Sequence, residues 1–341
     1  MRAVMLREFG PPDTLRIEEI PTPEPGPGQA IVRVRACGVC YHDVLDRLGK
    51  LPNVKPPIIL GHEIAGEVAE VGPFVEGVKA GDRVCILQRI FCGRCQACIS
   101  GQQNLCRDGE GLLGSDRDGG YAEYVHVPAI NLVKIPDSLS FDTASLLSCA
   151  VGTNYRAVRY LADVQFGETV LITGASGGLG LTGIQVAKLA GARVVAVTSS
   201  EQKVEAIKAA GADEVVCSPD LRFARAVWEL TDRRGADVVL DTVVSYTFAE
   251  ALRSLGQGGR YVIIGNVDVR ELAFNPGLVI SRRLRILGTG SANLSDLHEI
   301  VRLAAAGKIN PLVSHRAPLA EAAAVHRDME AKRLVGRVVL V

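Results

Sequence analysis

The stretch Glu168-Thr-Val-Leu-Ile-Thr-Gly174-Ala-Ser-Gly-Gly-Leu-Gly180-Leu-Thr-Gly-Ile-Gln-Val-Ala-Lys-Leu-Ala-Gly191 decides how the chain folds. Its first residues form a short apolar run of the kind that makes a buried strand, and Leu181 onward has the apolar spacing of a helix. Glycines at 174, 177, 178 and 180 fill the junction. A lone Gly-rich triplet is weak evidence. Between a strand and a helix it becomes specific, because glycines let the backbone approach a pyrophosphate that lies on the helix N-terminus. Gly177, Gly178 and Leu179 are therefore candidate dinucleotide-binding residues, weighed against a Gly-rich turn with no ligand.

Downstream, Ala192-Arg-Val-Val-Ala-Val-Thr198 reads as a second buried strand. A dinucleotide fold usually places an acid about twenty residues past the glycines, where it binds the ribose 2′-hydroxyl. Here the chain continues Thr198-Ser199-Ser200-Glu201-Gln202-Lys203, with no acid at the strand end. Hydroxyls with Lys203 can receive a 2′-phosphate that an Asp would repel. Thr198, Ser199 and Lys203 thus favour NADP(H) over NAD(H), with Glu201 as the opposing signal. Strand-and-helix units follow at 214–217 with 223–231 and at 236–243 with 247–255, then strands at 258–265 and 284–288. This alternation marks a parallel, doubly wound sheet, an α/β fold.

Upstream the pattern changes. Residues 1–35 alternate apolar and polar, punctuated by Pro21-Thr-Pro-Glu-Pro-Gly-Pro-Gly, as do 64–71 and 82–87. Period-two alternation with Pro and Gly breaks predicts short antiparallel strands and a β-rich module. Within it stand Cys40, in Cys-Gly-Val-Cys-Tyr-His-Asp, and His62, in Gly-His-Glu-Ile-Ala-Gly. With Cys149 they supply two sulfurs and an imidazole, and three protein ligands leave one zinc position open, as catalytic sites do. His62 is expected at the start of a strand, and Cys149 within or at the end of a helix over 137–160 capped by Ser138 or Ser140.

Cys92-x2-Cys95-x2-Cys98-x7-Cys106 is a separate and stronger signal. Four thiolates at this spacing can enclose a tetrahedral Zn²⁺ with no position left open, so this second metal is expected to pin a loop that has little core of its own. Cys37, Cys85 and Cys217 read as core, Trp228 as helix packing, and His126, His298, His315 and His326 as surface or structural.

The chain of 341 residues is too long for one ordinary core. Its 48% hydrophobic and 22% charged residues suit a soluble globular protein. With 38 basic residues against 38 acidic ones, no electrostatic footprint for nucleic acid or a membrane surface appears, which leaves a small-molecule partner. Charges interrupt the apolar N-terminus, which has no cleavage-site pattern, and no apolar run spans a bilayer. A cytoplasmic location is expected, and an odd count of nine cysteines there favours metal thiolates over disulfides.

Together, Gly61-His62-Glu63-Ile-Ala-Gly66-x5-Gly72, the four-cysteine lobe, Cys40-x2-Asp43, Cys149 before Gly152-Thr153, and Ala175-x-Gly177-Gly178-Leu-Gly180 resemble the zinc-containing alcohol dehydrogenases of the medium-chain dehydrogenase/reductase family. The resemblance covers nearly the whole chain. It implies a GroES-like catalytic domain over 1–150, with a zinc lobe at 92–106, a Rossmann domain over 151–287, and a return to the catalytic domain over 288–341. It further implies that Glu63 can transiently enter the metal shell, that Asp43 orients a ligand, and that Thr153, Gly265, Asn266 and Arg337 face the cofactor. Residues 289–291 are placed there too. Subunits of this family commonly associate through the edge of the nucleotide sheet, so residues 284–288 are a candidate interface strand in a homodimer or homotetramer. By family position, Tyr41, His42, Leu51, Leu87, Leu113 and Asn266 are candidate pocket residues.

One departure concerns the proton. The family usually carries Ser or Thr two residues after the first cysteine ligand, whereas this chain has His42, and Leu45 stands where relatives often keep a relay histidine. His42 either takes over proton transfer or lines the substrate channel without a proton role. Hydride transfer between NADP(H) or NAD(H) and an alcohol or carbonyl is the leading expectation. Reduction of a short enoyl-CoA thioester is the alternative, which the loop Ile264-Gly-Asn-Val-Asp268 also resembles, and a non-catalytic dinucleotide-binding protein is the third.

Overall fold

The computed structural model describes residues 1–341, which divide into two compact units. One comprises Thr153–Gly290 with Lys308–Leu312; the other comprises Met1–Gly152, Ser291–Gly307 and Val313–Val341. No helix is long and apolar enough to cross a membrane.

In the first of these the strand Thr169–Ile172 leads through the glycines into the helix Gly178–Leu189. Val170, Leu171 and Ile172 are wholly buried, as a parallel strand covered on both faces demands. Each such side chain stabilises the fold by about 1.5–3 kcal/mol. Six parallel strands lie in the order Glu214–Cys217, Arg193–Thr198, Thr169–Ile172, Ala236–Asp241, Leu255–Ile263 and Arg285–Gly288. The chain order runs outward both ways from Thr169–Ile172, so the loops leaving it and Ala236–Asp241 diverge at the strands' carboxyl ends. Open α/β sheets bind ligands at such a switch point. Cys217 is half-buried rather than core, because Glu214–Cys217 is the outermost strand and has a neighbour on one side only.

The other unit is built on a seven-stranded sheet. Along its path run Leu132–Lys134, Arg83–Ile86, Glu63–Val71, Gln29–Gly38, Arg337–Leu340 and Val313–Ala317, with Tyr124–Pro128 also on Gln29–Gly38. Its alternating strands bury one face in a core that includes Val32, Ile64, Val68, Val84 and Val125. The C-terminal strand returns to the middle of this sheet, Leu340 opposite Cys37 and Val339 opposite Gly38. Gly38 also lies opposite Glu63. The register therefore brings the chain just after Gly38, the chain just before Glu63, and the start of the final strand to one place.

The segment expected as one helix over 137–160 is interrupted. Ser140 caps the helix Phe141–Ser145 by accepting from the Thr143 amide at 3.1 Å. Leu147–Val151 and Ala157–Leu161 are π-helical turns around Gly152–Arg156. The Val151 amide reaches back five residues to the Leu146 carbonyl at 3.1 Å. Such one-turn π bulges recur at functional sites, and Cys149 lies in this one.

Candidate metal centres and nucleotide loop

Three short elements converge on the first centre. Cys40 is the N-cap of the helix Tyr41–Arg47, His62 immediately precedes the strand Glu63–Val71, and Cys149 sits in the π turn. Donor atoms of Cys40, His62, Glu63 and Cys149 all lie within 4.8 Å of one another, and all four residues are buried. Asp43 accepts from the Cys40 amide at 2.8 Å through Oδ2, closing a capping box, and Oδ1 lies 3.0 Å from His62 Nδ1. The ring's other nitrogen is thereby left for a ligand bond, the usual way a carboxylate orients a metal-binding histidine.

Charge is closely managed in this pocket. Burial opposes the Asp43 carboxylate, but His62 beside it holds its pKa below the usual range. A hydrogen bond from Cys149 and, against burial, the Arg337 guanidinium hold the Cys40 thiol well below the ordinary thiol range. Arg337 Nη2 lies 3.3 Å from Cys40 Sγ and 3.0 Å from Glu63 Oε1. Burial pushes the Glu63 carboxyl up despite Arg337. Glu63 Oε2 is buried with no hydrogen-bond partner, and a Cβ at residue 38 would stand 2.3 Å from it, so glycine there makes room for the carboxylate. Two sulfurs, an imidazole and an unsatisfied carboxylate oxygen fit a divalent cation of the zinc type.

The four-cysteine lobe passes a stricter geometric test. Zn–S bonds of about 2.3 Å in a tetrahedron require sulfurs about 3.8 Å apart. The separations are 3.9 Å for Cys92–Cys98, 3.5 Å for Cys95–Cys98 and 3.8 Å for Cys95–Cys106. None of the nine cysteines is in a disulfide. The amides of Cys92 and Cys95 point at Cys106 and Cys92 sulfurs, each at 3.3 Å, and such donors stabilise thiolates.

Beside the first centre, the sequence reading missed two partners of His42. His42 Nε2 is 3.4 Å from both Asp46 Oδ2 and Ser115 Oγ, and Ser115 donates to the same carboxylate oxygen at 2.6 Å. Asp46 stands four residues after His42 on one helix, a spacing legible in the sequence; Ser115 is not. Asp46 is wholly buried, Oδ1 has no partner, and burial pushes its carboxyl up to about 7.

In the nucleotide-fold unit, Gly177 caps the helix that begins with Gly178 and Leu179. Thr198 ends its strand buried, its hydroxyl accepting from the Ser200 amide at 3.3 Å, while Ser199 is exposed and Lys203 ends a 3₁₀ turn. Gly265 and Asn266 follow the strand Leu255–Ile263, and Asn266 accepts from Ser245. Thr153 is buried, and its carbonyl accepts from the Thr289 hydroxyl at 3.4 Å. Arg337 belongs to the other unit, on Cys40 and Glu63.

Residues 26–137 match the alcohol dehydrogenase GroES-like domain, and residues 178–306 match the zinc-binding dehydrogenase family. An acryloyl-coenzyme A reductase of Sulfurisphaera tokodaii is 36% identical over 341 residues, covering 100% of this chain and 99% of that protein. An NAD-dependent alcohol dehydrogenase of the same organism is 37% identical over 356 residues, covering 100% of both. The crystal structure of AibC superposes with a TM-score of 0.92 at 48% identity, covering 100% of this chain and 95% of that one.

Proposed function

The chain belongs to the zinc-containing alcohol dehydrogenase family of the medium-chain dehydrogenases and reductases, and from that premise we propose that it exchanges a hydride between NADP(H) and an alcohol or carbonyl compound. The observation that supports this best is the buried convergence of Cys40, His62, Glu63 and Cys149 within 4.8 Å. Cys40, His62 and Cys149 would hold a catalytic Zn²⁺, with Glu63 able to enter its shell, and Cys92, Cys95, Cys98 and Cys106 a structural one. When bound, Zn²⁺ supplies Lewis acidity toward a substrate oxygen and the nicotinamide supplies or accepts the hydride.

The chain's own groups do the rest. Asp43 keeps the His62 ring oriented, Arg337 balances the charge of Cys40 and Glu63, and His42 holds the proton that leaves or joins the substrate hydroxyl. An imidazole suits that task near neutrality. Asp46 and Ser115, both at 3.4 Å, steady its Nε2. Thr198, Ser199 and Lys203 are the proposed receivers of the NADP 2′-phosphate; Gly177, Gly178 and Leu179 cradle the pyrophosphate, and Thr153, Gly265 and Asn266 border the cofactor. We place the enzyme in the cytoplasm, self-associating as a dimer or tetramer.

A second reading has support of its own. The relative named acryloyl-coenzyme A reductase is as similar as the alcohol dehydrogenase, and Leu45 leaves the usual hydroxyl-to-histidine relay incomplete. Reduction of a conjugated thioester needs no such relay. The deciding experiment follows NADPH oxidation with aldehydes, ketones and acryloyl-CoA, and NADP⁺ reduction with alcohols. Turnover of aldehydes or ketones upholds the proposal; turnover of the thioester alone replaces it with the second reading. Metal analysis tests catalysis itself: two zincs per chain are expected, and one or none favours a non-catalytic binding protein.

A further inference from the structure

Beyond His62, Asp43 has a buried neighbour in Tyr121, which opens a row of polar groups. Tyr121 Oη donates to Asp43 Oδ2 at 3.1 Å and lies 3.1 Å from His326 Nε2. Arg47 Nε donates to His326 Nδ1 at 3.3 Å, and Arg47 Nη2 to Glu330 Oε1 at 2.7 Å. Asp43, Arg47, Tyr121 and His326 are each 0% exposed. They come from three places in the chain: the helix Tyr41–Arg47, which carries Asp43 and Arg47, the loop that carries Tyr121, and the C-terminal helix Ala322–Glu330, which carries both His326 and Glu330.

Donor and acceptor parity orders this row. Arg47 can only donate, so His326 Nδ1 accepts and its single proton resides on Nε2; burial pushes the His326 pKa down to about 4, so the ring is neutral. Nε2–H therefore donates to Tyr121 Oη. The one phenolic hydrogen then goes to Asp43, a pure acceptor as a carboxylate, which receives His62 Nδ1–H on its other oxygen. His62 Nε2 is left with its lone pair facing the two cysteines.

We propose that Arg47, His326 and Tyr121 are positioning residues that, through Asp43, set the tautomer and aim of the metal-ligating His62, so that the C-terminal helix governs how tightly the three-ligand centre holds its ion. This rests on the reading of Cys40, His62 and Cys149 as metal ligands and extends it to residues that touch neither metal nor substrate. Partners standing behind a ligating histidine typically alter metal affinity by about 10- to 100-fold. The ring of Tyr121 packs against Gly61, 2.4 Å from where a Cβ would be, so Tyr121→Phe removes the hydroxyl and keeps the packing. His326→Gln can accept from Arg47 and donate to Tyr121; His326→Leu can do neither.

The test titrates Zn²⁺ from the full-length protein with a chelator and counts metals per chain by native mass spectrometry. The four-cysteine lobe is the internal control, and thermal unfolding is recorded for every variant. Tyr121→Phe and His326→Leu are expected to weaken the three-ligand centre about tenfold or more, with the lobe unchanged and His326→Gln close to the parent. Parent-like affinity in Tyr121→Phe and His326→Leu overturns the inference. So does loss from both centres in step with a lowered Tm, which marks plain destabilisation. A parent that holds no Zn²⁺ at the three-ligand centre instead overturns the functional reading beneath it.

Discussion

Asp46 shows how one buried group shapes both chemistry and stability. Its carboxyl is raised from the usual acid range to about 7 by burial, with a hydrogen bond from Ser115 only partly opposing. A folded-state pKa above the unfolded one means the stabilising, protonated form is complete below about pH 4 and is lost as pH rises through about 7. Asp46→Asn is therefore expected to be more stable than the parent by about 2–4 kcal/mol above pH 7, at about 1.4 kcal/mol per pKa unit. That advantage fades toward pH 4. Urea unfolding of both proteins at pH 4.5 and 8 measures it; an equal gap at both values removes the raised carboxyl as its cause. At the proposed nucleotide site, Ser199 is the residue on which to test cofactor choice, because it is exposed whereas Thr198 is buried. Ser199→Asp is expected to raise KM for NADPH about tenfold or more while leaving NADH nearly unaffected, since a carboxylate repels a phosphate and accepts ribose hydroxyls. Unchanged relative KM values would take Ser199 out of cofactor selection.

At the level of elements, the strand-to-helix turn at Gly174–Gly180 is tightly constrained. A Cβ at residue 180 would meet the Gly174 carbonyl oxygen at 2.4 Å and Ala175 Cα at 2.5 Å, both backbone atoms that cannot swing aside. Gly180→Ala is therefore expected to displace the loop from the helix N-terminus and weaken dinucleotide binding about tenfold or more by fluorescence titration. Full-strength binding would mean that the helix tolerates a shift the packing disfavours. The π turn over Leu147–Val151 makes the opposite point. Periodicity detects a helix there but not its extra residue, because one inserted residue leaves the apolar spacing on either side intact.

Across the whole molecule, the nucleotide sheet ends in Arg285–Gly288, which pairs only with Leu255–Ile263. Ile286 is 36% exposed on that outer strand, and Ile280, at 76%, lies on the preceding helix. Unpaired, apolar strand edges invite pairing with another chain. If the chain self-associates through this edge as proposed, Ile286→Lys lowers the mass of the assembly in sedimentation velocity; a parent that sediments as a monomer, or an unaltered assembly in the variant, rejects this edge as the contact. The other unit sets the C-terminal strand Arg337–Leu340 antiparallel to Gln29–Gly38 in one sheet, while the N-terminal strand Arg2–Leu6 lies in a separate three-stranded sheet.

Much of this was legible from residue order. The alternation of strand and helix, the glycine turn and the spacing of Cys92, Cys95, Cys98 and Cys106 are local patterns, and local patterns follow from backbone geometry and ligand reach along a short chain. Cys40, His62 and Cys149 were legible only as residue types in family motifs; the sheet register and a π turn gather their donor atoms within 4.8 Å. Asp46 left a faint trace as the fourth residue after His42. Ser115, and the row from Arg47 through His326 and Tyr121 to Asp43, left none. Their hydrogen bonds join positions up to 279 residues apart, and no periodicity in a linear chain records which distant polar groups will need one another once water is excluded.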